Sequence, residues 1–304
     1  MNANAVIPHT LKKGDRVGII SSARKITTQE IRPAKLLLES WGLEVVIGDT
    51  IGKQDNQFAG SDEQRWRDLQ NMLCDVSIKA VFFARGGYGS VRILDKTDWN
   101  SLLQNPKWLI GYSDVTAVLM HAYYTVGVCG IHGIMPVNIQ DTCDNAGVAS
   151  LKNILFYGTN RIKMPYHTLN VCGKTAGILI GGNLSVMYSL LASNSFKDTD
   201  GAVLFIEDLD EYLYHTDRMM QALKRSGKLK NLKALLVGQM SDMHDNNVAF
   251  GKTAYEIISD SVKEYGIPVA FNLPVGHIGT ENRAFIHGKR VNVDINSEYT
   301  LLEQ

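Results

Sequence analysis

The tightest constraint on the fold is a set of five short apolar segments: RVGIIS (16–21), LEVVIG (43–48), KAVFFA (79–84), KWLIGY (107–112) and VGVCGI (126–131). Each is apolar along its length rather than at every second position, the pattern of a strand covered on both faces. Amphipathic stretches separate them. Residues 28–41 place Ile31, Ala34, Lys35, Leu38 and Trp41 at helical spacing, and Gly42 follows as a stop. Ser61 and Gln64 form a capping box opening a helix through Leu73. Residues 114–125 and about 145–157 carry two more helical patterns. Strands alternating with helices in this way build βαβ units and a parallel sheet.

Residues 158–175 are polar, contain Gly and Pro, and lack helical periodicity, so the domain boundary is placed there. Beyond it, AGILIGG (176–182), AVLFIED (202–208), ALLVGQM (234–240) and IPVAFNL (267–273) read as strands. Helical patterns fall near 184–192, 215–226 and 251–265, and short strands near 283–294 and 298–302. The expected class is α/β. A parallel-sheet domain of flavodoxin or Rossmann-like type spans 1–160, and a mixed, β-rich α+β domain spans 161–304. The 304 residues agree with two domains at roughly 150 residues each.

Composition removes several function classes. Thirty-one basic side chains balance 31 acidic ones, a neutral total that argues against a nucleic-acid partner. Apolar residues at 45% and charged residues at 20% exclude a disordered chain. The most apolar stretch, 176–192, is broken by Gly181, Gly182 and Asn183, so no membrane helix or membrane partner is expected. The N-terminal MNANAVIPHTLKKGD has no apolar core before its lysines, which points to the cytoplasm. Cys74, Cys129, Cys143 and Cys172 show no C-x-x-C spacing, so scattered buried thiols are expected rather than a metal site or redox pair.

Four features carry possible chemistry. Arg85-Gly86-Gly87-Tyr88-Gly89-Ser90 follows KAVFFA directly. Glycines there let backbone N–H groups approach a ligand. The spacing fits neither phosphate-loop fingerprint, and a plain tight turn is the competing reading. Gly111-Tyr112-Ser113-Asp114-Val115-Thr116 joins a strand to a helix. A serine on such a turn exposes its hydroxyl above the sheet, with the next N–H available to an oxyanion. The glycine expected two residues later is absent, and an ordinary N-cap is the better explanation of this motif taken alone. Among eight histidines, His277 after Pro274-Val275-Gly276 and His132 before Gly133 sit at strand ends. His121 lies inside a helix, and His244 in SDMHD reads as part of a solvated loop rather than a metal ligand. Finally, Glu207 stands at a strand end where it can orient a histidine, whereas Asp210 and Glu211 read as a solvated acidic turn.

Taken together, LKKGDRVGIISSA, ARGGYGS, IGYSDVTAV, IHGIMP, GILIGGNLS, LFIEDLDE and LPVGHIG, in that order, resemble the LD-carboxypeptidase family of serine peptidases (the muramoyltetrapeptide carboxypeptidases) over nearly the whole chain. The resemblance implies a triad with Ser113 as nucleophile, His277 as general base and Glu207 orienting it. The oxyanion hole would combine the Asp114 N–H with that of Gly86, Gly87 being the alternative. Arg85 and Asn183 are implied substrate contacts. The implied reaction releases terminal D-alanine from murein tetrapeptide through an acyl-enzyme, in cell-wall recycling, without metal or organic cofactor, in a homodimer. The triad would straddle the two domains. Related microcin-immunity peptidases hydrolyse peptidyl or aminoacyl nucleotides and stack the base on tryptophans of the second domain. Here Trp41, Trp66, Trp99 and Trp108 all lie in the first half, leaving Tyr212 or Tyr214 for that role. A non-catalytic binder of small anions is the remaining alternative.

Overall fold

A computed structural model describes residues 5–140 and 145–304. The first half runs β1 (Arg16–Ile20), α1 (Thr28–Ser40), β2 (Glu44–Ile47), α2 (Asp62–Cys74), β3 (Ile78–Phe83), α3 (Asn100–Gln104), β4 (Trp108–Gly111), α4 (Thr116–Val126), β5 (Gly130–His132) and α5 (Ala146–Tyr157). The second half runs β6 (Arg161–Pro165), β7 (Gly173–Asn183), α6 (Leu184–Ser189), β8 (Ala202–Leu209), α7 (Leu213–Arg225), β9 (Ala234–Ser241), α8 (Ala254–Val262) and β10 (Val269–Ala270). It closes with β11 (Phe285–His287), β12 (Arg290–Ile295) and β13 (Tyr299–Glu303). Capping boxes Thr27/Glu30 and Ser61/Gln64 start α1 and α2, each satisfying two backbone donors that a helix end would otherwise strand.

Two sheets result. The first has the order β11-β5-β4-β3-β1-β2, and the second β10-β9-β8-β7-β12-β13-β6. In the first, β1 to β5 pair in parallel, so their C-terminal ends share one edge, where open α/β sheets form their ligand crevice. In the second, β7 to β10 are parallel and β12, β13 and β6 are antiparallel, the mixed sheet that the sequence implied. One buried cluster runs through both halves, joining Leu109, Val118 and Leu119 to Ile180, Leu204 and Ile206. At that seam the N–H of Asn183 donates to Thr116 Oγ1 at 3.0 Å. Gly182 permits the approach, because a Cβ there would stand 2.4 Å from the same oxygen.

Three expectations are corrected. The stretch expected to be an irregular linker contains β6, whose Ile162 and Met164 face inward while Arg161, Lys163 and Pro165 face out. The first sheet is not wholly parallel: β11 comes from the far end of the chain and pairs antiparallel with β5. Cys74 and Cys172 are exposed, and only Cys129, its thiol pushed up to about 12 by burial, is a buried cysteine among the described residues. Cys143 lies outside them. Among the described residues no helix is long and apolar enough to cross a membrane.

Candidate active site

The chain leaves β4 at Gly111 and turns at Ser113 before α4 begins. Ser113 has φ of 62°, the left-handed region that costs a non-glycine residue about 1–3 kcal/mol. The neighbours hold it there. Val115 is fully buried against Gly111, where a Cβ would lie 2.9 Å from the valine methyls. This contact explains why the small residue stands before the serine and a valine after it. The buried Asp114 carboxyl accepts N–H bonds from Ser90 at 2.9 Å and Gly89 at 3.3 Å. Burial raises the Asp114 pKa, and these bonds oppose the rise.

Those bonds tie the glycine loop to the serine turn. The loop is also held from behind by the buried Arg65, which donates to the Gly89 carbonyl at 2.9 Å. Gly86 is pressed against the turn: a Cβ on it would lie 3.2 Å from Ser113 Oγ and 3.5 Å from the Asp114 nitrogen. Gly87 has φ of +105°, and its Cβ position is covered by the Arg24 side chain. The two adjacent glycines therefore serve different neighbours, one the serine and one an arginine.

The candidate base, His277, comes from the other half. Glu207 on β8 is fully buried, and its Oε2 lies 2.8 Å from His277 Nδ1. With the carboxylate accepting, the proton sits on Nδ1 and Nε2 is the basic nitrogen. Gly276, at φ +123°, brings the loop against the acid, since a Cβ there would lie 2.9 Å from Glu207 Oε2. Its N–H donates to Asn282 Oδ1 at 2.9 Å. Burial, the largest influence on His277, disfavours the cation. The Glu207 hydrogen bond and charge, with the charge of Asp208, outweigh it, so the pKa rises above its ordinary 6.5. The Tyr112 ring packs 4.9 Å from the imidazole, and burial pushes its phenol up to about 12.

The inserted strand explains how His277 from the second half reaches the cleft that holds Ser113 from the first. The His277 loop runs from β10 in one sheet to β11 in the other. β11 pairs with β5, which lies beside β4, the strand that presents Ser113. His277 is thus registered to Ser113 through backbone pairing within the first sheet, not only by packing between halves.

A cleft of about 550 Å³ brings Ser113, Gly86, His277, Arg85 and Asn183 together. Asp114 and Glu207 stand behind it, one following the serine and one bonded to the imidazole. Asn183 caps α6 and donates from Nδ2 to Asp208 Oδ1 at 2.8 Å, so much of its amide is already engaged. Arg85 Nη1 faces Glu30 Oε1 at 3.5 Å. Sequence reasoning missed Arg24, Tyr112, Asn138 and Asp208, which also line the cleft. Asp208 is buried, and desolvation followed by the Glu207 charge lifts it to about 7. The acidic turn is not simply solvated: Asp210 meets His244 at 2.6 Å and Glu211 meets His215 at 2.5 Å. His132, which the sequence placed on a par with His277, is fully buried, and burial drives its pKa down to about 3. His121 is a buried helix residue hydrogen-bonded to Ser195 at 2.8 Å.

Comparison with known proteins identifies the family. The LD-carboxypeptidase N-terminal domain matches residues 17–133, and the LD-carboxypeptidase C-terminal domain matches residues 176–293. The chain belongs to the LD-carboxypeptidase family, and with that membership it is a serine-type carboxypeptidase. A relative in Bacillus subtilis (strain 168), named a probable murein peptide carboxypeptidase, is 34% identical over 277 residues, covering 89% of this chain and 86% of the relative. The crystal structure of muramoyltetrapeptide carboxypeptidase from Oxalobacter formigenes superposes with a TM-score of 0.87 at 25% identity, over 95% of this chain and 98% of that one. The microcin C7 self immunity protein MccF, solved with aspartyl sulfamoyl adenosine, shares the fold with a TM-score of 0.85 at 20% identity, over 98% of each chain.

Proposed function

We propose that this protein releases the terminal D-alanine from murein tetrapeptide by acyl transfer to Ser113. The observation that carries the reading is the buried Glu207 bonded at 2.8 Å to His277 in the cleft that holds the strained Ser113. His277 Nε2 accepts the Ser113 proton as Oγ attacks the carbonyl of the L-residue. Charge develops on the carbonyl oxygen, where the N–H groups of Asp114 and Gly86, with Gly87 as the alternative donor, would receive it. Collapse breaks the C–N bond, and the imidazolium gives its proton to the departing D-alanine amine. Water, activated by the same nitrogen, then adds to the acyl carbon and frees Ser113. Glu207 stabilises the imidazolium in both halves of the cycle.

Arg85 and the remaining Asn183 amide N–H are proposed substrate contacts. The proton transfers use side chains alone, so EDTA is expected to leave the rate unchanged. The division of labour is between residues 1–160, with nucleophile and oxyanion loop, and 161–304, with acid and base. A homodimer working on recycled wall peptides in the cytoplasm fits the reading. The test is a fluorophosphonate probe: labelling of the Ser113 peptide with parallel loss of peptidase activity is expected. No labelling, with peptide binding retained in Ser113→Ala, would favour a small-anion binding protein instead.

A nucleotide conjugate is the second reading, since Tyr212 and Tyr214 are exposed, lie with ring centres 5.7 Å apart, and follow Glu211 at the cleft wall. Turnover of an aminoacyl sulfamoyl nucleoside in preference to tetrapeptide would select it.

A further inference from the structure

The cleft holds two arginines on its first-sheet wall, and they are not equivalent. Arg85 faces Glu30 at 3.5 Å, so part of its charge is already answered. Arg24 has no salt bridge among the described residues, although it lines the same cleft. The acids of the cleft stand on the second-sheet wall, where Asp210 and Glu211 are engaged by His244 and His215. Arg24 is therefore the cation with unspent charge in a site built for a small peptide.

Its placement is as specific as its charge. The Arg24 stem crosses Gly87 so closely that a Cβ there would lie 2.5 Å from Cδ and 2.7 Å from Nε. Its backbone N–H also donates to the Gly86 carbonyl at 3.4 Å, so arginine and loop are held together. Gly86 is the residue pressed on Ser113 Oγ, and Gly87 is next to it. The guanidinium thus departs from a point one residue away from the reacting centre. In a peptide cut at its last bond, the free carboxylate is one Cα away from the scissile nitrogen. That carboxylate carbon lies only two bonds, about 1.46 and 1.52 Å, beyond the scissile nitrogen, so its anchor must line the same cleft a hydrogen-bond length further out. A guanidinium presents paired N–H donors that match a carboxylate.

We propose that Arg24 is the specificity-determining residue that grips the free terminal carboxylate and so makes this enzyme remove only the last residue. This rests on the peptidase reading given above. It also gives Gly87 a purpose distinct from that of Gly86: any side chain at Gly87 would displace the arginine.

The test compares a tetrapeptide ending in a free D-alanine carboxylate with the same peptide ending in D-alanine amide. The wild-type enzyme is expected to favour the acid by about 30-fold or more in kcat/KM, the size of one charge-assisted contact. Arg24→Gln is expected to lower kcat/KM for the acid about 30-fold, chiefly through KM, and to leave the amide within about threefold. Arg24→Lys should restore part of the preference, and Arg85→Gln should keep most of it. Retention of the acid preference in Arg24→Gln overturns the proposal, as does an equal loss on both peptides. A loss that instead follows an internal carboxylate, revealed by a peptide amidated only there, also overturns it. Calorimetric binding of both peptides to Ser113→Ala, with and without Arg24→Gln, gives the same comparison without turnover. If the chain hydrolyses neither peptide, the peptidase reading fails, while the binding preference still decides the role of Arg24.

Discussion

Replacing Glu207 by Gln changes one atom at the centre of the site and leaves its packing intact. The carboxylate is fully buried, with Oε2 at 2.8 Å from His277 Nδ1. Two effects add. First, the charge that stabilises the imidazolium disappears; a charge-assisted hydrogen bond is worth about 1.5–3 kcal/mol, roughly 10- to 150-fold in rate. Second, the glutamine amide can donate to Nδ1, which moves the imidazole proton to Nε2 and leaves no lone pair for the Ser113 proton. An acid-to-amide change in the comparable triad of serine proteases costs about 10⁴-fold for this reason. A loss of about 10³- to 10⁴-fold in kcat is expected here, smaller than for Ser113→Ala. The pH profile gives a sharper signature. In the wild type the His277 pKa is raised, so activity climbs with pH through a value above 6.5. In Glu207→Gln, burial of the imidazole is left largely unopposed, and the acid limb should move to lower pH while the plateau falls. The assay is D-alanine release between about pH 5 and 9, under conditions where kcat/KM reports the free enzyme. Thermal unfolding should show the fold retained, because the amide keeps the shape of the carboxyl and can still bond His277 Nδ1. A variant within threefold of wild type, or an acid limb that shifts to higher pH, would refute the assignment of Glu207 as the partner of the base.

Gly86→Ala places a methyl 3.0 Å from Ser113 Cβ and 3.2 Å from Oγ, so steady-state kinetics should show kcat down about 10- to 100-fold with KM little changed. Because Ser113 has φ of 62°, Ser113→Gly should unfold no earlier than Ser113→Ala, against the usual glycine penalty of about 0.5–1 kcal/mol, while both lack activity. His132 is held neutral with a pKa near 3, whereas an unfolded histidine titrates near 6.5. The unfolded chain therefore binds more protons below pH 6.5, and stability from this group falls as pH drops from there towards 3. Urea titrations of His132→Leu should show a pH slope shallower than wild type by about 1.4 kcal/mol per unit in that window.

Much of the architecture follows from short-range pattern. β3 and β8 are apolar along their length because both faces are covered, and that is visible in KAVFFA and AVLFIE without a partner. What escapes is pairing at long range. β11 is three residues long, and its place beside β5 depends on residues far away in the first half of the chain. β6 is hidden because only Ile162 and Met164 face inward, between charged neighbours. The site divides in the same way. Ser113 and the glycine loop stand at strand ends that the pattern marks, and the family motifs connect them to Glu207 and His277. Local sequence cannot separate His132 from His277, since both follow strands and have adjacent glycines. The difference is tertiary: one is sealed in the core, and the other finds a carboxylate from β8. Asp114 reads locally as a helix cap, but its carboxyl holds the Gly89-Ser90 turn. Arg24 carries no signal beyond following a strand, and its importance emerges only from the glycine it covers.

The most direct test of the account is mass spectrometry of murein tetrapeptide incubated with the purified protein. Loss of one alanine is predicted from the peptide ending in D-alanine, not from its L-alanine epimer, and in the wild type but not in Ser113→Ala. An unchanged tetrapeptide, or equal alanine release by Ser113→Ala, would contradict it.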